Sequence, residues 1–155
     1  MDSTLLSSAP EDTQAIGRRL GLQLRGQEII LVSGDLAAGK TILIKGIASG
    51  LEIPVPEVVS PSYVLMNQYQ GIHPLFHFDL YRLGGLLGAR ENPIDEFIGA
   101  GVVAVEWAQY LRPEYFSLAG VIVVDIATLK NNRRRLRLRT ELPYITEDIF
   151  GFAKT

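Results

Sequence analysis

Hydrophobic positions along this chain fall into short apolar runs separated by glycine, proline and polar clusters, with two stretches at helical spacing. The first follows Ser8-Ala9-Pro10-Glu11, which resembles a capping box, and predicts a helix through about Leu20 with Gly21 suited to end it. The continuous run Ile29-Ile30-Leu31-Val32 predicts a buried strand over 28–33. From Thr41 onward, Leu43, Ile44, Ile47, Ala48 and Leu51 recur at helical spacing, and Gly50, Pro54 and Pro56 close the pattern. Residues 63–69, 75–80, 102–107, 121–126 and 136–142 read as strands by their apolar and β-branched content. Gln70-Gly71-Ile72-His73-Pro74 reads as a tight reversal, which makes its flanking strands antiparallel neighbours. The strand and helix around residue 34 instead imply a parallel crossover. The expected fold is therefore α/β: a mixed, mostly parallel β-sheet flanked by helices on both faces, forming one domain over residues 1–155.

The segment joining that first strand to the second helix carries the clearest chemistry. Gly34-Asp35-Leu36-Ala37-Ala38-Gly39-Lys40-Thr41 fits the phosphate-binding loop template of glycine, four residues and Gly-Lys-Thr. Its glycines let backbone N–H groups turn toward phosphate oxygens, and the following helix offers its positive N-terminus to the same anion. Lys40 adds a charge near the β and γ phosphates, and Thr41 offers a hydroxyl to Mg²⁺. The expected ligand is a nucleoside triphosphate in a P-loop NTPase-like domain. A loop of this kind needs an acid that orients Mg²⁺, usually at the end of a buried strand. Two acids stand at such places: Asp79 after Leu75-Phe76-His77-Phe78, and Glu106 after Val102-Val103-Ala104-Val105.

Composition narrows the field. A length of 155 residues suits one well-buried domain, and 47% hydrophobic with 21% charged residues matches an ordinary globular protein. A formal net charge of −2 argues against gripping nucleic acid over the whole surface. The chain has no cysteine, so disulfide and thiolate chemistry are excluded. Neither a signal peptide nor a membrane span is visible, and a cytoplasmic location is expected. The densest charge cluster is Arg133, Arg134, Arg135, Arg137 and Arg139, whose odd-numbered members would share one face of a strand opposite Leu136 and Leu138. Such a stripe is either a solvated edge-strand face or a surface for tRNA or an acidic partner.

Four ordered blocks carry a family resemblance: the 34–41 loop, Ser60-Pro61-Ser62-Tyr63-Val64-Leu65, His77-Phe78-Asp79-Leu80-Tyr81-Arg82, and Val105-Glu106-Trp107. Together they closely resemble the TsaE (YjeE) family of tRNA threonylcarbamoyladenosine biosynthesis ATPases. The resemblance implies a Mg²⁺-dependent ATPase that works with the threonylcarbamoyl-transfer subunits TsaD and TsaB. It implies contact with tRNA only through that assembly, which modifies adenosine 37. It also implies that Thr41 and Glu106 hold Mg²⁺, that Lys40 and the loop backbone from Gly34 to Thr41 hold ATP phosphates, and that Asp79 positions the attacking water directly or through the metal. Residues 60–65 would sense the γ-phosphate, and Thr13 and Arg134 would lie near the nucleotide. Ala37 stands where the family usually has glycine, and its methyl is expected to require a negative φ. Ser62 keeps a hydroxyl where the family usually has threonine.

Other readings come from the residues themselves. His77, between Phe76 and Phe78, reads as a packed or hydrogen-bonded histidine, and Trp107 as core or edge packing close to Glu106. The rival function is a small-molecule kinase, for which residues 84–90 would have to supply a lid. A GTPase is disfavoured because no Asn-Lys-x-Asp sequence occurs. A nucleotide-gated binding module with negligible hydrolysis overlaps with the ATPase reading.

Overall fold

A computed structural model of the chain describes residues 1–61, 65–82 and 93–147. Their strands form one seven-stranded sheet, in the order β1 (Asp2–Ser7), β7 (Arg134–Thr140), β6 (Val121–Thr128), β2 (Ile29–Gly34), β5 (Val102–Glu106), β4 (Pro74–Asp79) and β3 (Met66–Gln70). The four central strands run parallel, and the outer pairings are antiparallel. The sheet is thus mixed as expected, but parallel only at its centre. Short connections enforce two of the antiparallel pairings: residues 71–73 reverse the chain between β3 and β4, and a tight turn in which the Leu129 N–H donates to the Arg133 carbonyl joins the ends of β6 and β7.

Strand β2 shows how the pattern becomes layers. Ile30 and Val32 face a core built with α1 (Pro10–Gln23) and α2 (Lys40–Gly50), while Ile29 and Leu31 face a second core around Phe76, Phe78, Val103 and Val105. A strand buried on both sides reads as an unbroken apolar run because successive side chains point to opposite faces. Helices were expected on both faces, but among the described residues α1 and α2 pack together on one face. The opposite face is covered by short 3-10 turns at 95–97, 108–110 and 113–117, which bring Leu111 and Tyr115 onto Phe76 and its neighbours. Pro113 and the absence of an apolar stripe at helical spacing keep that segment from forming an α-helix.

Glycines set the distance between α1 and α2. A Cβ added to Gly17 would lie 2.2 Å from the Leu43 carbonyl oxygen, and one added to Gly46 would lie 2.1 Å from that of Gln14. The backbones therefore touch where the helices cross. Gly21, expected to end α1, belongs to the same contact, and the helix continues to Gln23. At its other end Ala9 is the N-cap, without the expected capping box; the Ser8 N–H instead donates to Asp12.

Strand β1 was not foreseen, because Asp2-Ser-Thr-Leu-Leu-Ser7 is short and mixed in polarity. It pairs along β7 and takes the edge of the sheet, so the arginine-rich strand is an inner one. Arg135, Arg137 and Arg139 do share an exposed face opposite buried Leu136 and Leu138. Arg137 is held by Asp2 at 2.7 Å, and Arg139 by Asp125 at 2.9 Å.

Buried Glu28, at the opposite end of β2 from the 34–41 turn, accepts hydrogen bonds from the backbone N–H groups of Arg25, Gly26 and Gln27 and from the Tyr144 hydroxyl. Burial opposes its charge, but these donors prevail and hold its carboxyl below the usual value of 4.5. Burial and the Glu28 contact push the Tyr144 phenol up to about 12. Because the Glu28 value is depressed on folding, its stabilisation is complete above 4.5 and is lost as pH falls through the lower folded value. Urea midpoints measured from about pH 6 to pH 3 should therefore drop less steeply for Glu28→Gln than for the parent chain.

Candidate functional site

The 34–41 turn leaves the C-terminal end of β2 and enters α2 directly. Gly34 is required by packing, since a Cβ there would lie 2.8 Å from the Ile126 carbonyl oxygen. Gly39 caps α2 at φ 104°, a conformation that suits glycine. Lys40, the first residue of α2, is buried, and its Nζ donates to the carbonyl oxygens of Gly34 at 2.9 Å and Asp35 at 2.6 Å. Burial lowers its pKa against the pull of Glu106, Asp79 and Asp35.

The two acids found in the sequence meet here. Asp79 and Glu106 are register partners at the ends of parallel β4 and β5, so their backbones lie side by side next to the turn. The Thr41 hydroxyl donates to Glu106 Oε1 at 2.7 Å. Asp79 Oδ2 accepts from the Ser60 hydroxyl at 2.9 Å, and its Oδ1 accepts from the Tyr81 N–H at 2.9 Å. Lys40, Thr41, Ser60, Asp79 and Glu106 all line one open cleft of about 480 Å³, with Leu36, Tyr81 and Trp107 among its other walls. A helix N-terminus and a lysine on one side suit phosphate oxygens, and a hydroxyl beside a carboxylate is the oxygen donor set a hard divalent cation prefers.

The outlying candidates lie at the back of the turn. Arg134, at the start of β7, donates from Nε to the Ala38 carbonyl at 3.1 Å and from Nη2 to the Ala37 carbonyl at 3.2 Å. It therefore grips the turn itself. Thr13 is buried, shares a 2.7 Å hydrogen bond with the Ser7 hydroxyl and presents its methyl toward Gly39. Trp107 takes a left-handed φ of 59° and lies 4.8 Å from the Tyr81 ring, with the Lys40 ammonium 4.0 Å over its face.

Residues 7–136 match the family described as "Threonylcarbamoyl adenosine biosynthesis protein TsaE". The chain belongs to the TsaE family. It is similar to the TsaE protein of Aquifex aeolicus, at 33% identity over 136 residues, covering 86% of this chain and 93% of that one. It is likewise similar to the TsaE protein of Treponema pallidum, at 32% identity over 139 residues, covering 84% and 96% respectively. Among solved structures, the crystal structure of Bacillus subtilis YdiB superposes with a TM-score of 0.68 at 28% identity, over 89% of this chain and 84% of that one. TsaE proteins act in tRNA threonylcarbamoyladenosine biosynthesis.

This TsaE family member departs from the expectation at Ala37. Its φ is 61°, left-handed rather than negative, and the two carbonyl contacts from Arg134 hold the turn in that shape. A left-handed alanine costs about 1–2 kcal/mol, while glycine there adds about 0.4–1 kcal/mol of unfolded-chain entropy. Ala37→Gly is expected to stabilise the protein by about 0.5–1 kcal/mol, read from the shift of its urea midpoint. Residues 62–64, including Ser62, and the glycine-rich 84–90 stretch lie outside the described residues.

Sequence motifs pointed to neither Gln109 nor the partner of His77. Gln109 Nε2 donates to the Gly34 carbonyl at 3.0 Å, and nothing in the motifs pointed to it. His77, read as a packed or hydrogen-bonded histidine, is both: it is fully buried, and its Nε2 lies 2.5 Å from Glu106 Oε2, a partner the reading had not named. The signal for it was available. His77 and Asp79 are two residues apart on one strand and so share the sheet face of Glu106.

Proposed function

We propose that this chain is a P-loop NTPase-like domain that binds ATP with Mg²⁺ at the 34–41 turn and hydrolyses it slowly. The convergence of Lys40, Thr41, Asp79 and Glu106 on one cleft at the N-terminus of α2 carries this reading. Lys40 and the backbone of Gly34, Asp35, Leu36, Ala37, Ala38 and Gly39 hold the phosphates, with Arg134 and Thr13 supporting the turn from behind. Thr41 and Glu106 hold Mg²⁺, which supplies charge neutralisation at the phosphates when bound. Asp79, fixed through Ser60 and Tyr81, orients the attacking water, and Leu36, Tyr81 and Trp107 bound the cleft.

Within tRNA threonylcarbamoyladenosine biosynthesis the hydrolysis serves the transfer subunits TsaD and TsaB in the cytoplasm. It returns them to a competent state between modifications of adenosine 37, and this chain meets tRNA through that complex. Among the described residues no helix is long and apolar enough to cross a membrane. Hydrolysis by the isolated chain should be slow, because a phosphoryl-transfer site completed in trans can gain about 10³-fold or more. A reconstituted assay counting modified adenosines per transferase is the test. Many turnovers are expected with this chain and ATP, and few without it. Equal turnover in its absence refutes the role.

A further inference from the structure

We infer that His77 is a positioning residue for Glu106: it fixes one carboxylate oxygen so that the other is aimed at Thr41 and the proposed metal. The inference rests on the Mg²⁺ reading above and adds a residue to which that reading assigned no part.

The two oxygens of Glu106 have separate partners. Oε1 accepts from the Thr41 hydroxyl at 2.7 Å, and Oε2 meets His77 Nε2 at 2.5 Å. Glu106 is 3% exposed and His77 not at all, so no bulk solvent competes for that second oxygen. A carboxylate held at one oxygen by a hydroxyl alone could rotate about its terminal torsion, which is broad and soft. The imidazole removes that freedom.

Backbone register makes room for the contact. His77 stands opposite Ala104 on the neighbouring strand, and Asp79 stands opposite Glu106. The small Ala104 side chain leaves the imidazole space to reach diagonally to Glu106, a separation that long side chains span on a sheet face. The same face carries Leu75 and Ala104 into the helix-side core, so the ring is walled by apolar neighbours.

Hydrogen bonding fixes the tautomer. Among the described residues His77 Nδ1 is the buried side-chain nitrogen or oxygen with no partner. A proton there would leave a buried N–H unpaired and set the bare lone pair of Nε2 against the Glu106 carboxylate oxygen. A proton on Nε2 instead makes a charge-assisted bond to the carboxylate. The ring therefore donates through Nε2 and leaves Nδ1 bare. That geometry serves direction: it presents one N–H to one oxygen and has no second polar task. Partners of this kind behind a metal-binding carboxylate typically change metal affinity about 10–100-fold when lost.

The test separates metal affinity from nucleotide affinity. Calorimetric titrations of ATP in EDTA and in graded Mg²⁺ are run on the parent chain, on His77→Phe, which keeps a buried ring but has no donor, and on His77→Gln, whose amide can donate from near the Nε2 position. His77→Phe should raise the Mg²⁺ concentration needed for half-maximal enhancement about tenfold or more, with metal-free affinity within about twofold, and His77→Gln should recover most of the loss. An unchanged Mg²⁺ requirement in His77→Phe, an equal fall in metal-free affinity, or a His77→Gln variant as impaired as His77→Phe overturns the inference while leaving the site assignment standing. A parent chain whose ATP affinity ignores Mg²⁺ overturns the metal reading itself. Independently of metal and of the folding of variants, nitrogen NMR of ¹⁵N-histidine in the parent chain should show His77 protonated at Nε2 and bare at Nδ1. A proton on Nδ1 overturns the inference.

Discussion

Lys40→Ala should nearly abolish ATP binding while leaving the fold in place. Lys40 is buried at the first turn of α2 with its ammonium on the Gly34 and Asp35 carbonyls, beside the cleft that the proposed phosphates would enter. Hydrogen bonds to charged groups are worth about 1.5–3 kcal/mol each, so losing this donor should weaken affinity about a hundredfold or more. Truncation also removes a desolvated charge that burial already disfavours, so the folded chain is not expected to suffer greatly. Calorimetric titration with a parallel melting curve measures both. A variant that binds ATP as tightly as the parent removes the phosphate-loop assignment.

Glu106→Gln separates binding from turnover. The amide matches the carboxylate in shape and its oxygen can still accept from His77, but it lacks the charge that the proposed metal requires. Phosphate release should fall about a hundredfold or more, with metal-free ATP affinity little changed. Asp79→Asn should behave similarly, since Ser60 and Tyr81 hold that side chain toward the same cleft. If both variants release phosphate at the parent rate, the reacting centre lies elsewhere.

Much of the site was legible because its parts are local or periodic. The 34–41 turn is contiguous in sequence, and Asp79 and Glu106 each close an apolar run, which placed them at strand ends before any register was known. Features that depend on distant segments were not legible. Strand β1 owes its place to pairing with β7 across the length of the chain, and its own residues carry no strong β pattern. The left-handed Ala37 reflects Arg134 reaching over from β7, a contact between residues nearly a hundred positions apart that no local preference encodes. The 3-10 cover of the second face was missed because short turns show no periodicity to count.

The glycine crossing of α1 and α2 bears on how such a site withstands sequence drift. Where backbone meets backbone, the spacing of two helices is set by main-chain geometry and not by the volumes of interleaved side chains. Substitutions elsewhere in the core are then absorbed between the helices and the sheet, where side chains of several sizes can repack. The origin of α2, and with it the direction in which Lys40 and Thr41 leave the turn, is insulated from those changes. Exchange of a few glycines would reach the cleft from a distance, whereas many larger core replacements would not.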